Sequence, residues 1–307
     1  MNLAQRVVIV HKGALGDFLQ AWPSILALSR HFGPERMYWA GREAYSLWTA
    51  PLGLKPALPG MRHHLDRLYG ASSWPAELGG DLVIWFGLRT GPTEERFANL
   101  WFVPGLHAGR AAPVREAYRE ELRRLGVLPA EDWPEIWRIT CMPSAPPPAR
   151  PTGRKPVLLF PGAGHAKRCW PLERFLSLAR WLQAAGERPL FVLGPAEQER
   201  GVDVQNFERA APEGLAELQA CIETSRLVVG NDSGPLHLAG FCGTPCLALF
   251  GPASPNQWGP YGARTIWLGL DCSPCTDIGK MGCESADCLR GIGLKRVQRE
   301  VERLLGE

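Results

Sequence analysis

Three short runs of the chain combine glycine with side chains that can move a proton or hold an anion. Gly13-Ala14-Leu15-Gly16-Asp17 follows the apolar run Val7-Val8-Ile9-Val10 and precedes Phe18, Leu19, Trp22, Ile25, Leu26 and Leu28 at helical spacing. This pattern predicts a strand, a tight turn and a helix. A carboxylate placed there either caps the helix or projects from the C-terminal edge of the strand as a general base, and both readings are open on local grounds. The G-x-G-x-x-G spacing of a dinucleotide fingerprint is absent.

The second run, Pro161-Gly162-Ala163-Gly164-His165-Ala166-Lys167-Arg168-Cys169-Trp170-Pro171, follows another apolar strand candidate. Its glycines and two adjacent cations suit a diphosphate cradle, or else form a loop whose basic residues face water. Trp170-Pro171 is placed to anchor the next helix. The third run, Gly230-Asn231-Asp232-Ser233-Gly234-Pro235-Leu236-His237-Leu238-Ala239-Gly240, offers helix-capping side chains, then a glycine and a proline in the first turn. Such a helix presents amide groups and the positive end of its dipole to a phosphate. His237, one turn further on, either faces the same site or is a satisfied core imidazole.

The elements around these runs alternate. Strand candidates at Met37–Ala40 and Leu82–Phe86 are separated by segments of helical spacing, as in a parallel sheet covered by helices. Between Met142 and Pro156 prolines accumulate without apolar periodicity, which predicts an interdomain linker. A second alternation follows: strand Val157–Phe160, helix Leu172–Ala185, strand Leu190–Leu193, helix Leu215–Thr224, strand Leu227–Val229, helix Leu236–Phe241 and strand Cys246–Phe250. A closing helix spans Lys295–Leu305.

A chain of 307 residues is long enough for two cores, and 45% hydrophobic with 21% charged residues is a globular balance. Lys and Arg exceed Asp and Glu by 17 to 14 in residues 1–150 and match them at 17 to 17 in residues 151–307, which argues against a nucleic-acid partner. No apolar run reaches the length of a membrane span, and MNLAQRVVIVHKGALGD has no signal-peptide pattern. A cytoplasmic location is expected. The nine cysteines therefore read as reduced thiols or metal ligands. Cys272, Cys275, Cys283 and Cys288 pair at metal-ligand spacing, but the seven- and four-residue gaps fit no common zinc pattern. They are expected to act as a structural staple, with a structural metal as the other reading.

The run VGNDSGPLHLAGFCGTPCLALFGPASPNQWGP resembles the signature of the heptosyltransferase family, glycosyltransferase family 9, and GALGD and PGAGHAKRCWP stand where that family's other two motifs would be. The resemblance covers nearly the whole chain, densest over residues 157–260 and sparse over residues 35–140. It implies an α/β fold of GT-B type, two doubly wound Rossmann-like domains facing a central cleft. An acceptor-binding domain would span residues 1–150 and a nucleotide-sugar-binding domain residues 151–307, with the C-terminal helix free to return to the first.

The implied activity is inverting transfer of heptose from ADP-heptose to the inner core of lipopolysaccharide, at the cytoplasmic face of the inner membrane with peripheral contact. Alternatives are another nucleotide sugar or acceptor, an epimerase, or a non-catalytic sugar-nucleotide-binding protein. Asp17 matches the family's general base. Arg168, two positions before Trp170-Pro171, matches a basic residue that is usually lysine, so Lys167 is an alternative. Asp232, Ser233, Gly234 and His237 match the donor motif, and Glu197, or else Glu199, would meet the donor ribose. Arg62, His63 and His64, together with Arg110, Arg115, Arg119, Arg123 and Arg124, could meet the anionic acceptor. A helix face balanced by Glu116, Glu120 and Glu121 is the other reading for Arg115–Arg124. No Asp-x-Asp occurs, so cations would take the place of a bridging metal, and no cofactor is expected for catalysis.

Overall fold

The computed structural model describes residues 5–93, 95–107, 112–142, 154–273, 275, 283 and 286–306. The chain divides into two compact units, Met1–Pro143 and Ser144–Glu307. The proline-rich segment expected as a linker begins at this division, and its residues 143–153 lie outside those described.

The first unit runs β1 (Val7–His11), α1 (Leu15–Phe32), β2 (Met37–Trp39), α2 (Ser46–Thr49), β3 (Lys55–Pro56), α3 (Met61–Asp66), β4 (Leu82–Gly87), β5 (Leu100–Pro104), α4 (Val114–Arg124) and α5 (Trp133–Cys141). Its five strands are parallel in the order β3-β2-β1-β4-β5. Every residue of β1 is buried, because both faces of the sheet are covered, and this is why the strand reads as a continuous apolar run. Phe18 on α1 stacks on Tyr45 at 4.4 Å between ring centroids, and Trp22 meets Trp137 of α5 edge-on at 4.9 Å. These contacts hold the start of α1 firmly against the sheet.

The second unit runs β6 (Val157–Phe160), α6 (Leu172–Ala184), β7 (Pro189–Val192), α7 (Pro195–Glu199), β8 (Arg209–Ala210), α8 (Leu215–Glu223), β9 (Leu227–Asn231), α9 (Gly234–Phe241), β10 (Cys246–Leu249), α10 (Pro255–Trp258), β11 (Arg264–Ile266), α11 (Asp287–Arg290) and α12 (Leu294–Gly306). Its six strands are parallel in the order β11-β10-β9-β6-β7-β8. That is the doubly wound order of a mononucleotide-binding sheet. The closing helix α12 packs on α6 and sends Val297, Val301 and Leu304 into the core of this second unit.

The short edge strands β3, β8 and β11 are not anticipated from the sequence. Two or three residues carry no periodicity of their own, and they are strands only because a longer neighbour supplies the ladder.

Candidate active site

In an open parallel sheet, ligands bind beyond the C-terminal ends of the strands where the winding direction reverses. In the first unit that point lies at β1 and β4, and Gly13–Asp17 spans the turn leaving β1 and the start of α1. In the second it lies between β6 and β9, and the other two glycine-bearing runs are the loops leaving these two strands.

Asp17 stands in the first turn of α1, half-buried, and its Oδ2 accepts a hydrogen bond from the Ala14 amide at 3.1 Å. The carboxylate therefore caps its own turn, which fixes its direction. Gly13 is required by close packing: a Cβ there would lie 2.8 Å from both Asp17 Cβ and His11 Cε1. The His11 ring is 2% exposed and meets Phe18 edge-on. Burial pushes its imidazole down to about 4, against a hydrogen bond to the Asp17 main chain that works the other way, while Arg42 adds to the lowering. His11 is thus a neutral ring beneath the carboxylate. Burial raises the Tyr118 phenol, and the Asp17 charge raises it further. Burial also raises Tyr45, with Arg42 opposing and Asp17 adding to the rise. Both phenols stay protonated within the field of the carboxylate.

In the second unit a single amide joins the two loops. Asn231, fully buried at the end of β9, accepts from the Trp170 amide at 2.8 Å and donates to the Pro161 carbonyl at 2.8 Å. Next to it Asp232, 4% exposed, forms an ion pair with Arg168. The Nε of Arg168 is buried with no hydrogen-bond partner. Ser233 occupies the capping position of α9, but its hydroxyl donates to the Asn231 carbonyl at 3.0 Å and leaves the helix end uncapped by a side chain. Pro235 has no N–H and the Leu236 amide donates to the Ser233 carbonyl at 3.1 Å, so the Gly234 amide is the first-turn group left for an anionic ligand. Gly234 and Pro235 follow at the positions where a missing Cβ and a missing N–H cost nothing.

Lys167 and Arg168 diverge. Arg168 turns to Asp232, whereas Lys167 lines a separate hollow with Cys169, Arg174 and Arg290. Glu197 and Glu199 separate in the same way. Glu197 is half-buried and accepts from the Gly194 amide at 3.0 Å, and a Cβ on Gly162 would lie 2.0 Å from its Oε1. Glu199 is exposed. Glu197 therefore stands against the donor-loop backbone. His237, on α9, is 4% exposed.

On α3, Arg62 and His63 are exposed and His64 is half-buried, with the two histidine rings edge to face at 5.7 Å. On α4 the arginines are ion-paired, and Arg119 is buried rather than solvated. Arg119 pairs with Glu116 and Glu131, Arg123 with Glu131, and Arg124 with Glu120 and Glu121. Arg115 lies over the Trp133 ring and within 3.5 Å of Glu116. Arg110 lies outside the described residues.

The four C-terminal cysteines are free thiols, Cys272 exposed, Cys275 and Cys283 half-buried and Cys288 buried. Burial raises the Cys275 and Cys288 thiols, and the neighbouring thiols of the same group raise them further. Among the described residues no group of three or more His, Cys, Asp or Glu side chains is arranged to hold a metal ion. The structure therefore lends no support to a structural metal at these cysteines.

Two doubly wound parallel sheets, each with its candidate groups at the reversal point, make this an α/β protein of the GT-B class. Residues 138–284 match the family described as glycosyltransferase family 9 (heptosyltransferase). It is similar to a family 9 glycosyl transferase from Veillonella parvula, with a TM-score of 0.71 at 21% identity over 99% of this chain and 98% of the other. It is also similar to the Escherichia coli heptosyltransferase WaaC solved with ADP, with a TM-score of 0.63 at 17% identity over 97% and 99% of the two chains. In sequence, lipooligosaccharide heptosyltransferase 2 of Campylobacter jejuni is 27% identical over 168 residues, 50% of this chain and 52% of the relative. The match thus spans about half the length of that curated relative.

Neither His11 nor Asn231 is assigned a role by the sequence reading. Asn231 carried a signal, an amide directly before a helix-capping pair, but its partners lie 61 and 70 residues away in the chain. His11 carried none beyond standing at the end of a strand.

Proposed function

We propose that the protein is an inverting, metal-independent glycosyltransferase that moves heptose from ADP-heptose to the inner core of lipopolysaccharide. The observation that carries the reading is the clamp in the second unit, where Asn231 joins the two loops that hold Arg168 and the N-terminal turn of α9. A diphosphate leaving group develops negative charge as the glycosidic bond breaks, and fixed donors aimed at it lower the barrier. Arg168 and the Gly234 amide at the start of α9 are such donors. The buried, unpartnered Nε of Arg168 supplies one more N–H for a phosphate oxygen.

Glu197 takes the ribose hydroxyls of the donor, and ADP bound in the WaaC structure supports an adenine nucleotide. Asp17 removes the proton from the acceptor hydroxyl as it attacks the anomeric carbon, in one displacement with inversion. The chain has no Asp-x-Asp, and its cations carry the charge a bridging metal would otherwise carry. The first unit, with Arg62, His63 and His64, receives the acceptor, and the second receives the donor. The lipid-linked acceptor would be met by peripheral contact at the cytoplasmic face of the membrane.

The test is release of ADP from ADP-heptose by the wild type and by Asp17→Ala, with and without a heptose-free core acceptor, in the presence of a chelator. Acceptor-dependent release that survives the chelator and is lost in Asp17→Ala supports the reading. Turnover of other sugar nucleotides but not ADP-heptose would overturn the donor, and no turnover at all would overturn the enzyme.

A further inference from the structure

Beside Asp17 the first unit holds a group that the site described so far does not use. Lys12 is the first residue beyond β1, and its Nζ lies 4.8 Å from the ring centroid of Tyr69 and 5.1 Å from that of Trp85. The same ammonium pairs with Asp66 Oδ1 at 2.5 Å. Trp85 belongs to β4, where it is in register with Val10 of β1, and it is buried. Tyr69 meets Trp85 edge to face at 5.3 Å, yet 56% of Tyr69 remains exposed. Perpendicular to Trp85 and overlain by the Lys12 ammonium, this residue still leaves more than half of its surface to solvent.

Such an arrangement does little for stability. The ion pair is open to water at both ends, with 43% of the Lys12 and 59% of the Asp66 side chain exposed, and screened pairs of this kind contribute little. What the arrangement does provide is an aromatic face of fixed orientation with a cation beside it. The C–H groups on one face of a sugar ring carry slight positive charge and pack against the negative face of an aromatic ring. Ligand sites pair apolar and aromatic walls with a few placed polar groups. Arg62, one helical turn before Asp66 on α3, adds a second cation on the same side of that helix.

We propose that Tyr69 and Lys12 form an acceptor subsite for an anionic sugar. Tyr69 is the platform on which a pyranose ring of the acceptor stacks, and Lys12 is the ligand of the acceptor's phosphate or carboxylate. Asp66 is the counter-ion that Lys12 gives up when the anion arrives. The subsite rests on the glycosyltransferase reading and names the class of acceptor: a sugar with one apolar ring face and a negative group close to it. Lys12 precedes the Gly13–Asp17 loop directly, so an acceptor held here lies at the same strand end as the base.

The experiment is equilibrium titration of a heptose-free, carboxylate-bearing core oligosaccharide, phosphorylated and dephosphorylated, into the full chain without donor. Tyr69→Ala is expected to weaken binding about tenfold, and Tyr69→Trp to restore it. Lys12→Met is expected to weaken it about tenfold as well, whereas Asp66→Asn tightens it by freeing the ammonium. A Lys12→Met loss that vanishes with the dephosphorylated acceptor assigns the anion as phosphate, and one that persists assigns it as carboxylate. Binding of ADP is expected to stay at the wild-type level in all four variants, which separates the subsite from loss of fold. Tyr69→Ala and Lys12→Met chains that bind both acceptors as the wild type does would overturn the subsite. Because the titration contains no donor, failure of ADP-heptose to turn over leaves its result intact, so the two readings fail separately.

Discussion

The side-chain amide of Asn231 accepts from the main-chain amide of Trp170 and donates to the main-chain carbonyl of Pro161, so one residue ties together both ends of the loop that carries Arg168. All of these groups are buried or nearly so. Replacing Asn231 by alanine leaves an N–H and a C=O without partners, at about 1–3 kcal/mol each. The Asn231→Ala chain is expected to melt several degrees below the wild type and to bind ADP more weakly. Asn231→Asp keeps the acceptor for Trp170 but sets a carboxylate against the Pro161 carbonyl, and it is expected to recover little. Thermal melts with and without ADP check this, and a variant with the wild-type ADP shift would show that the loop holds itself.

The two cations of the donor loop should differ sharply in kinetics. Arg168 is paired with Asp232 and its buried Nε, on the proposed reading, meets the leaving diphosphate, whereas Lys167 lines another hollow. Arg168→Ala is expected to lower kcat/KM for transfer about a hundredfold or more, on the scale of losing a donor to a developing charge. Arg168→Lys should recover only part of this, since an ammonium cannot pair with Asp232 and a phosphate through a planar fork. Lys167→Ala is expected to stay within about threefold of wild type. An equal loss at the two positions would count against the assignment of Arg168.

The layout of the second unit was legible because β6, β9 and β10 are apolar runs bounded by glycine-rich turns, and such runs are strands in almost any context. The candidate groups were legible for the same reason: Arg168 and Asp232 stand in the loops after β6 and β9, and Asp17 in the first turn of the helix after the equally apolar β1. What stayed hidden depends on three-dimensional pairing. The spacing of Lys167-Arg168 cannot say which cation turns inward, and a partner 64 positions away settles it. The charges of α4 look equally suited to an anionic ligand until Glu131, well beyond that helix, is seen to neutralise Arg119 and Arg123. Tyr69 and Lys12 lie 57 residues apart (69 minus 12) and share no motif, so only the sheet brings them together.

Asp17 offers a clean separation of base chemistry from structure. Its Oδ2 caps the Ala14 amide, a bond that Asn can also accept through its side-chain oxygen, so Asp17→Asn preserves the turn while removing the base. The expected outcome is a fall in kcat of about 10²–10⁴ with ADP affinity and melting temperature close to wild type. Single-turnover transfer with a heptose-free acceptor measures the first, and ADP titration and thermal melts the others. A variant that still transfers at a wild-type rate would leave Asp17 with a capping role alone.

The buried ring of His11 makes a prediction about pH. Its native imidazole titrates at about 4, pushed down by burial, while in the unfolded chain it titrates near its ordinary 6.5. Above pH 6.5 neither state binds the proton and His11 adds no pH dependence. Between 6.5 and 4 the unfolded chain takes up a proton that the native chain refuses, so stability falls by about 1.4 kcal/mol per pH unit, some ~3 kcal/mol across the window. Below pH 4 both states are protonated and the loss levels off. His11→Gln retains a hydrogen-bond donor but cannot titrate, and its stability should lack this component. Denaturant melts of the two proteins from pH 7.5 to 4 should show wild type falling relative to the variant only below pH 6.5. Parallel curves would mean that His11 titrates alike in the folded and unfolded chain and is not held neutral by burial.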